Sequence, residues 1–273
     1  MPRTVFFVSD GTGITAETLG HALLTQFENL EVNQATIPFV RDVAKAHDAV
    51  AQIDAAAQRD GERPVVFSTL TGADTLALIS SSRAMVLDLF SVFVEPLERE
   101  FNRGSTHAAG RLHGLGDRAS YEIRIDAMDF ALKHDDGAST RGYDEADIIL
   151  VGVSRSGKTP TCIYMSMQFG LRAANYPITD EDLARGSLPT SLRPHRDRLF
   201  GLTIDPERLQ QIRHGRRPNS QYASSAQCRR EVADVENLFR RDGIPYIDTS
   251  AVSIEEIAIS ILHRTGLQRR VFL

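Results

Sequence analysis

A chain of 273 residues is long enough for two domains or one large one, and 42% hydrophobic with 25% charged residues is an ordinary globular balance. A net charge of −5 argues against a nucleic-acid partner, and no apolar stretch reaches the length that spans a membrane. Two cysteines, Cys162 and Cys228, supply no disulfide framework, so the cytoplasm is the expected compartment.

The first hundred residues alternate strand-like and helix-like patterns. Thr4–Ser9 reads as a first strand rather than a signal peptide, because its apolar run meets an aspartate and glycines at once. Strands are also predicted over Val32–Val40, Pro64–Ser68 and Met85–Leu89, and helices over Ile14–Phe27, Val43–Arg59, Asp74–Ser81 and Ser91–Phe101. This rhythm implies parallel strands joined by helical, right-handed crossovers. The turn Ser9-Asp10-Gly11-Thr12-Gly13 lacks a lysine and the dinucleotide spacing, so it is a weak nucleotide signal. It could still present N–H groups to an anion.

Glycines and histidines then interrupt the pattern between Asn102 and Ser120, where a domain boundary is expected. The reading is α/β throughout: an N-terminal parallel βαβ domain, residues 1–110, followed by a P-loop kinase-like α/β domain, residues 111–273. His107, Arg111 and His113 in the interruption lack zinc-ligand spacing and are read as surface.

After a helical stretch, Tyr121–His134, the run Asp147–Val151 reads as a buried strand. The next residues, Gly152, Val153, Ser154, Arg155, Ser156, Gly157, Lys158 and Thr159, form a complete Walker A pattern, and Thr161–Phe169 is helix-compatible. In that setting backbone N–H groups wrap a polyphosphate, Lys158 neutralises the outer phosphate, and Thr159 holds Mg²⁺. Pro160 falls in the first helical turn, where a missing N–H costs little. Cys162, on the same helix, is read as packing.

Farther on, Arg172–Tyr176, Leu199–Ile204 and Ile244–Asp248 are predicted strands. Thr179–Arg185, Pro206–His214, Ser224–Asp242 and Ile254–Thr265 are predicted helices, the last capped by Ser253 with Glu256. Asp205 directly follows an apolar strand, so in a parallel sheet it opens on the same crevice as the glycine loop. It is the candidate carboxylate for a base or metal ligand, and equally a helix cap ahead of Pro206. Its rival Asp147 starts its strand, roughly 15 Å from the phosphates at the far edge. Between Arg208 and Arg217 lies a basic stretch read as a lid that neutralises charge as it closes.

Taken together, Gly152–Thr161, Met167–Pro177, Leu199–Leu209, Ser9–Glu17 and His134–Gly137 resemble the family of phosphoenolpyruvate synthetase and pyruvate, phosphate dikinase regulatory proteins, nearly end to end. The resemblance implies a bifunctional homodimeric enzyme. It implies phosphorylation of a threonine in the target enzyme with ADP as donor. It also implies removal of that phosphate by inorganic phosphate, releasing pyrophosphate. The glycine loop Gly152–Thr159 is by this resemblance the ADP-binding element. Phe200–Leu209 and Tyr222–Ala233 point to phosphoenolpyruvate synthetase as target, with the dikinase as alternative. Nothing in the loop itself selects ADP over ATP. A small-molecule P-loop kinase and a non-catalytic nucleotide sensor stay open as other readings of the same motif.

Overall fold

The computed structural model describes residues 2–106 and 118–271. His107, Arg111 and His113, and the 110/111 boundary, lie outside the described residues. The chain divides into two compact units, Met1–Gly114 and Leu115–Leu273.

In the first unit β1 (Arg3–Val8), β2 (Val32–Ile37), β3 (Val65–Ser68) and β4 (Met85–Asp88) form a parallel sheet in the order β2-β1-β3-β4. Four helices, α1 (Ile14–Leu24), α2 (Val43–Asp60), α3 (Ala73–Ser80) and α4 (Leu89–Phe101), make the crossovers and the end. The two-residue period of a strand sends alternate side chains to opposite faces. Phe6 and Val8 pack with Ala46, Ala49, Ile53 and Ala56 of α2, whose small side chains at helical spacing form its buried stripe. Val5 and Phe7 pack on the other face with Ala16 and Leu89. Helix α4 begins two residues before the sequence pattern suggests, because the Asp88 carboxylate accepts the Phe90 N–H.

The second unit opens with α5 (Arg118–Lys133). Its parallel sheet has β5 (Ile148–Gly152), β6 (Ala173–Pro177), β7 (Leu199–Thr203) and β8 (Tyr246–Asp248) in the order β6-β5-β7-β8. Between and beyond them run α6 (Lys158–Phe169), α7 (Asp180–Ala184), α8 (Pro206–Arg216), α9 (Ser225–Asp242) and α10 (Ile254–Thr265). Central strand β5 is buried on both faces. Ile149 and Val151 meet Leu209, Val235 and Phe239, whereas Ile148 and Leu150 meet Met165, Phe169 and Ile261. Strand β8 is shorter than the predicted Ile244–Asp248. The Ile244 N–H closes on the Phe239 carbonyl at the end of α9, and Pro245 has no N–H to give. The Ser253–Glu256 capping box of α10 is present as expected.

Both sheets share one strand order, second-first-third-fourth. In such sheets the chain reverses its direction of winding beside the first strand, and a crevice opens there at the carboxyl ends. In the second unit that place lies between β5 and β7, where the glycine loop and Asp205 emerge.

Candidate active site

Three devices fix the glycine loop. At Gly152, a Cβ would stand 2.2 Å from the Leu202 carbonyl oxygen of β7, so only glycine lets the loop leave the sheet there. Gly157 takes φ 91° and starts α6 at Lys158, three residues earlier than the pattern suggests. Arg155 also lies in the left-handed region, with φ 76°. The Ser156 hydroxyl is buried, sits where a Gly152 side chain would be, and has no hydrogen-bond partner among the described residues. An unpaired buried hydroxyl is costly unless something else reaches it.

Lys158 is 4% exposed, and its Nζ donates to the carbonyls of Val153 at 2.8 Å and Gly152 at 3.1 Å. Burial pushes its ammonium down to about 8, against the opposing pull of Asp136 and Asp135. That pair was not singled out as a functional site in the sequence. They follow α5, far upstream of the loop, and reach it through the sheet. The Thr159 hydroxyl donates to Asp135 Oδ1 at 2.7 Å, and Asn175 Nδ2 on β6 donates to the same oxygen at 2.6 Å. The Asn175 Oδ1 accepts the Asp136 N–H at 3.0 Å. Asp136 is held at φ 48°, and among the described residues its carboxylate makes no hydrogen bond. In the sequence this turn reads as the end of the Tyr121–His134 helix and stands among the family-like segments.

Asp205 stands where expected, beyond β7 and next to β5. Its carboxylate accepts the Arg208 N–H at 2.8 Å, and its own N–H donates to the Ser250 hydroxyl at 2.7 Å, so it caps α8. Asp147 lies just ahead of β5, and its carboxylate accepts the Arg172 N–H and pairs with Arg270. In the first unit, the Asp10 carboxylate is taken up by the Thr71 N–H and hydroxyl, 3.0 and 2.7 Å away, which ties the turns after β1 and β3 together.

The basic stretch read as a lid lies mostly in the predicted helix. Arg208–Arg216 belongs to α8, and Arg213 anchors it from inside with no exposed surface. Tyr222 OH lies 2.9 Å from the Ser154 hydroxyl. Ser154, Arg155, Arg216, Arg217 and Tyr222 line a 490 Å³ cleft beside the glycine loop. Its walls are cationic and polar, a setting for an anionic ligand. Cys162 is buried on α6 against the Ala174 carbonyl, and burial pushes its thiol well above the usual range, as a packing role requires.

A buried lysine, a threonine and an acidic pair thus meet around one strand–loop–helix turn. A sequence profile of the kinase/pyrophosphorylase family matches residues 5–262. The chain belongs to that family. A protein of Ectopseudomonas mendocina named "Putative phosphoenolpyruvate synthase regulatory protein" is 55% identical over 271 residues, 99% of this chain and 100% of the relative. Proteins of the same name from Marinobacter nauticus and Pseudomonas fluorescens are 52% and 53% identical, over 98% and 99% of this chain and 99% of each relative. Kinase and pyrophosphorylase chemistry both move a phosphoryl group between oxygens, which one cradle of N–H groups and one cation can serve in both directions.

Proposed function

We propose that this family member switches phosphoenolpyruvate synthase off by phosphorylating one of its threonines with ADP, and on again by phosphorolysis. The observation that carries the reading is the clustering of Lys158, Thr159, Asp135 and Asp136 at the carboxyl end of β5. The relatives' names supply the target.

In the forward direction the threonine oxygen attacks the terminal phosphorus of ADP. The bond to the bridging oxygen breaks, AMP leaves, and the hydroxyl proton passes to a carboxylate. In the return direction an oxygen of inorganic phosphate attacks the phosphothreonine phosphorus. Pyrophosphate forms, and the threonine oxygen leaves and recovers a proton. The loop N–H groups and Lys158 offset charge on the transferred group in both directions. Asp136 and Asp205 are the carboxylates proposed to take the proton. Asp136 is favoured, because its carboxylate is free and it acts electrostatically on Lys158, whereas one oxygen of Asp205 is used in capping α8. Thr159 Oγ1 and Asp135 Oδ1 are adjacent hard oxygen donors, which suits Mg²⁺ with several waters retained. There the ion would neutralise phosphate charge. ADP and inorganic phosphate are thus the proposed substrates, and a homodimer acting in the cytoplasm is the proposed form.

The test is direct. Phosphoenolpyruvate synthase incubated with this protein and ADP should gain one phosphothreonine by mass spectrometry, and added phosphate should remove it with stoichiometric pyrophosphate. Labelling from ATP alone, or turnover of a small molecule without a protein target, would refute the proposal.

A further inference from the structure

Carbonyl oxygens in a phosphate-binding loop are a hazard, since each one turned inward repels the ligand. The second unit disposes of them one by one. Lys158 takes the carbonyls of Gly152 and Val153. The hydroxyl of Thr249 takes that of Ser156 at 3.1 Å. The Ser154 carbonyl is held by the Arg213 Nη2, 3.2 Å away, from outside the loop on α8.

Arg213 is held at both terminal nitrogens, while its buried Nε has no hydrogen-bond partner among the described residues. Its Nη2 also donates to Glu231 Oε2 of α9 at 2.7 Å, its Nη1 to the Tyr222 carbonyl at 3.1 Å, and its guanidinium lies 4.1 Å from the centre of the Tyr222 ring. Burial works against the charge, but the Glu231 hydrogen bond and carboxylate outweigh it, and the guanidinium is held more firmly protonated than usual. Such a pair is expensive to bury and contributes little net stability compared with apolar packing. Its geometry nevertheless has a local effect. The peptide between Ser154 and Arg155 is planar, and its C=O and N–H point in opposite directions. A carbonyl fixed on Arg213 therefore turns the Arg155 N–H away from α8. That N–H has no backbone partner among the described residues, and Arg155 itself takes the left-handed conformation at φ 76°.

We propose that Arg213 is a positioning residue of the phosphate cradle. By holding the Ser154 carbonyl it aims the Arg155 N–H at the bound phosphate, and it couples the loop to α8, whose last residue Arg216 and cap Arg217 line the neighbouring cleft. This rests on the reading of the glycine loop as the phosphate site.

The experiment uses the full chain and inorganic pyrophosphate as probe, with affinity from calorimetry, thermal unfolding, and the Arg155 amide signal by NMR. Arg213→Lys keeps a cation opposite Glu231 but cannot span two carbonyls as a planar fork does. It should stay folded, lose about 10- to 100-fold in pyrophosphate affinity, as outer-shell changes around a bound ion do, and lose the Arg155 amide shift on binding. Arg229→Ala breaks only the exposed ion pair to Glu207 that joins the same two helices, and should bind like wild type. Should Arg213→Lys fail to fold, the neutral pair Arg213→Gln with Glu231→Gln takes its place with the same expected losses. A folded variant with wild-type affinity and a wild-type Arg155 shift overturns the proposal. Equal pyrophosphate binding by wild type and Lys158→Ala would instead overturn the reading of the loop itself, and this inference with it.

Discussion

Lys158 carries the most specific expectations at the level of single residues. Lys158→Ala should abolish both phosphorylation and phosphorolysis, with at least about 10²- to 10³-fold losses. The fold should survive, because the two carbonyls it leaves keep backbone partners: Gly152 O accepts from Ile178 N at 3.0 Å and Val153 O from Ser156 N at 3.3 Å. Circular dichroism alongside the assay checks both halves. Its titration adds a second expectation. The unfolded lysine titrates at 10.5 and the folded one at about 8, so between those values the unfolded chain binds the extra proton. Stability should therefore rise with pH across that window, and the buried ammonium is a full cost below it. Phosphate binding runs the other way. An anion favours the ammonium, so pyrophosphate should bind with proton uptake near pH 8 and more weakly above it, as calorimetry in buffers of different ionisation enthalpy will show. For the carboxylates, Asp136→Asn should reduce threonine phosphorylation by about 10²-fold or more. Asp205→Asn, which still caps α8, should have the smaller effect, and a reversed order would assign the proton transfer to Asp205.

Among the elements, the joint between β5 and β7 decides whether the loop exists at all. Gly152→Ala puts a methyl group against backbone rather than a yielding side chain. It should destabilise the chain by about 1–3 kcal/mol, the range for overpacking, visible as a lower urea midpoint at unchanged slope. It should also weaken pyrophosphate binding even where the protein stays folded. The elements were readable from the sequence wherever a single period governs them. The apolar run ahead of Gly152, the alanine stripe of α2 and the Ser253 cap each announce themselves locally. Asp135, Asp136 and Arg213 do not. The acidic turn reaches Thr159 only because Asn175, on a strand that pairs with β5, bridges to it. Arg213 looks like one more arginine in a basic run, and nothing local distinguishes the one facing inward from Arg216 and Arg217. The basic stretch shows the same limit: the predicted helix Pro206–His214 is present as α8, but its anchoring by a buried guanidinium–carboxylate pair is not legible in the charge density.

At the scale of the whole molecule, the proposed site belongs to one unit. ADP should slow amide hydrogen exchange in Gly152–Thr159 and the first turn of α6 far more than in β1–β4, and should raise the melting temperature more than ATP does at equal concentration. Stronger protection by ATP would count against ADP as the donor. The weaker Ser9–Gly13 turn shows why the sequence signal differed between the halves. Both sheets wind in the same order and both first strands end in a glycine turn, but the Asp10 carboxylate spends itself on Thr71. The same topology thus gives two mouths with different chemistry.

Cys162 and Cys228 are the chain's only thiols, and both are buried with their deprotonation disfavoured. Since only the thiolate reacts with maleimides, the native protein should take up no label, whereas the denatured chain should take up two. The wild-type sequence is therefore already a blank background for site-directed probes. One cysteine introduced on exposed Val92 and another at Arg240 could carry a fluorophore pair without first stripping native thiols. Such a pair would report the separation of the two units with and without added ADP or phosphate.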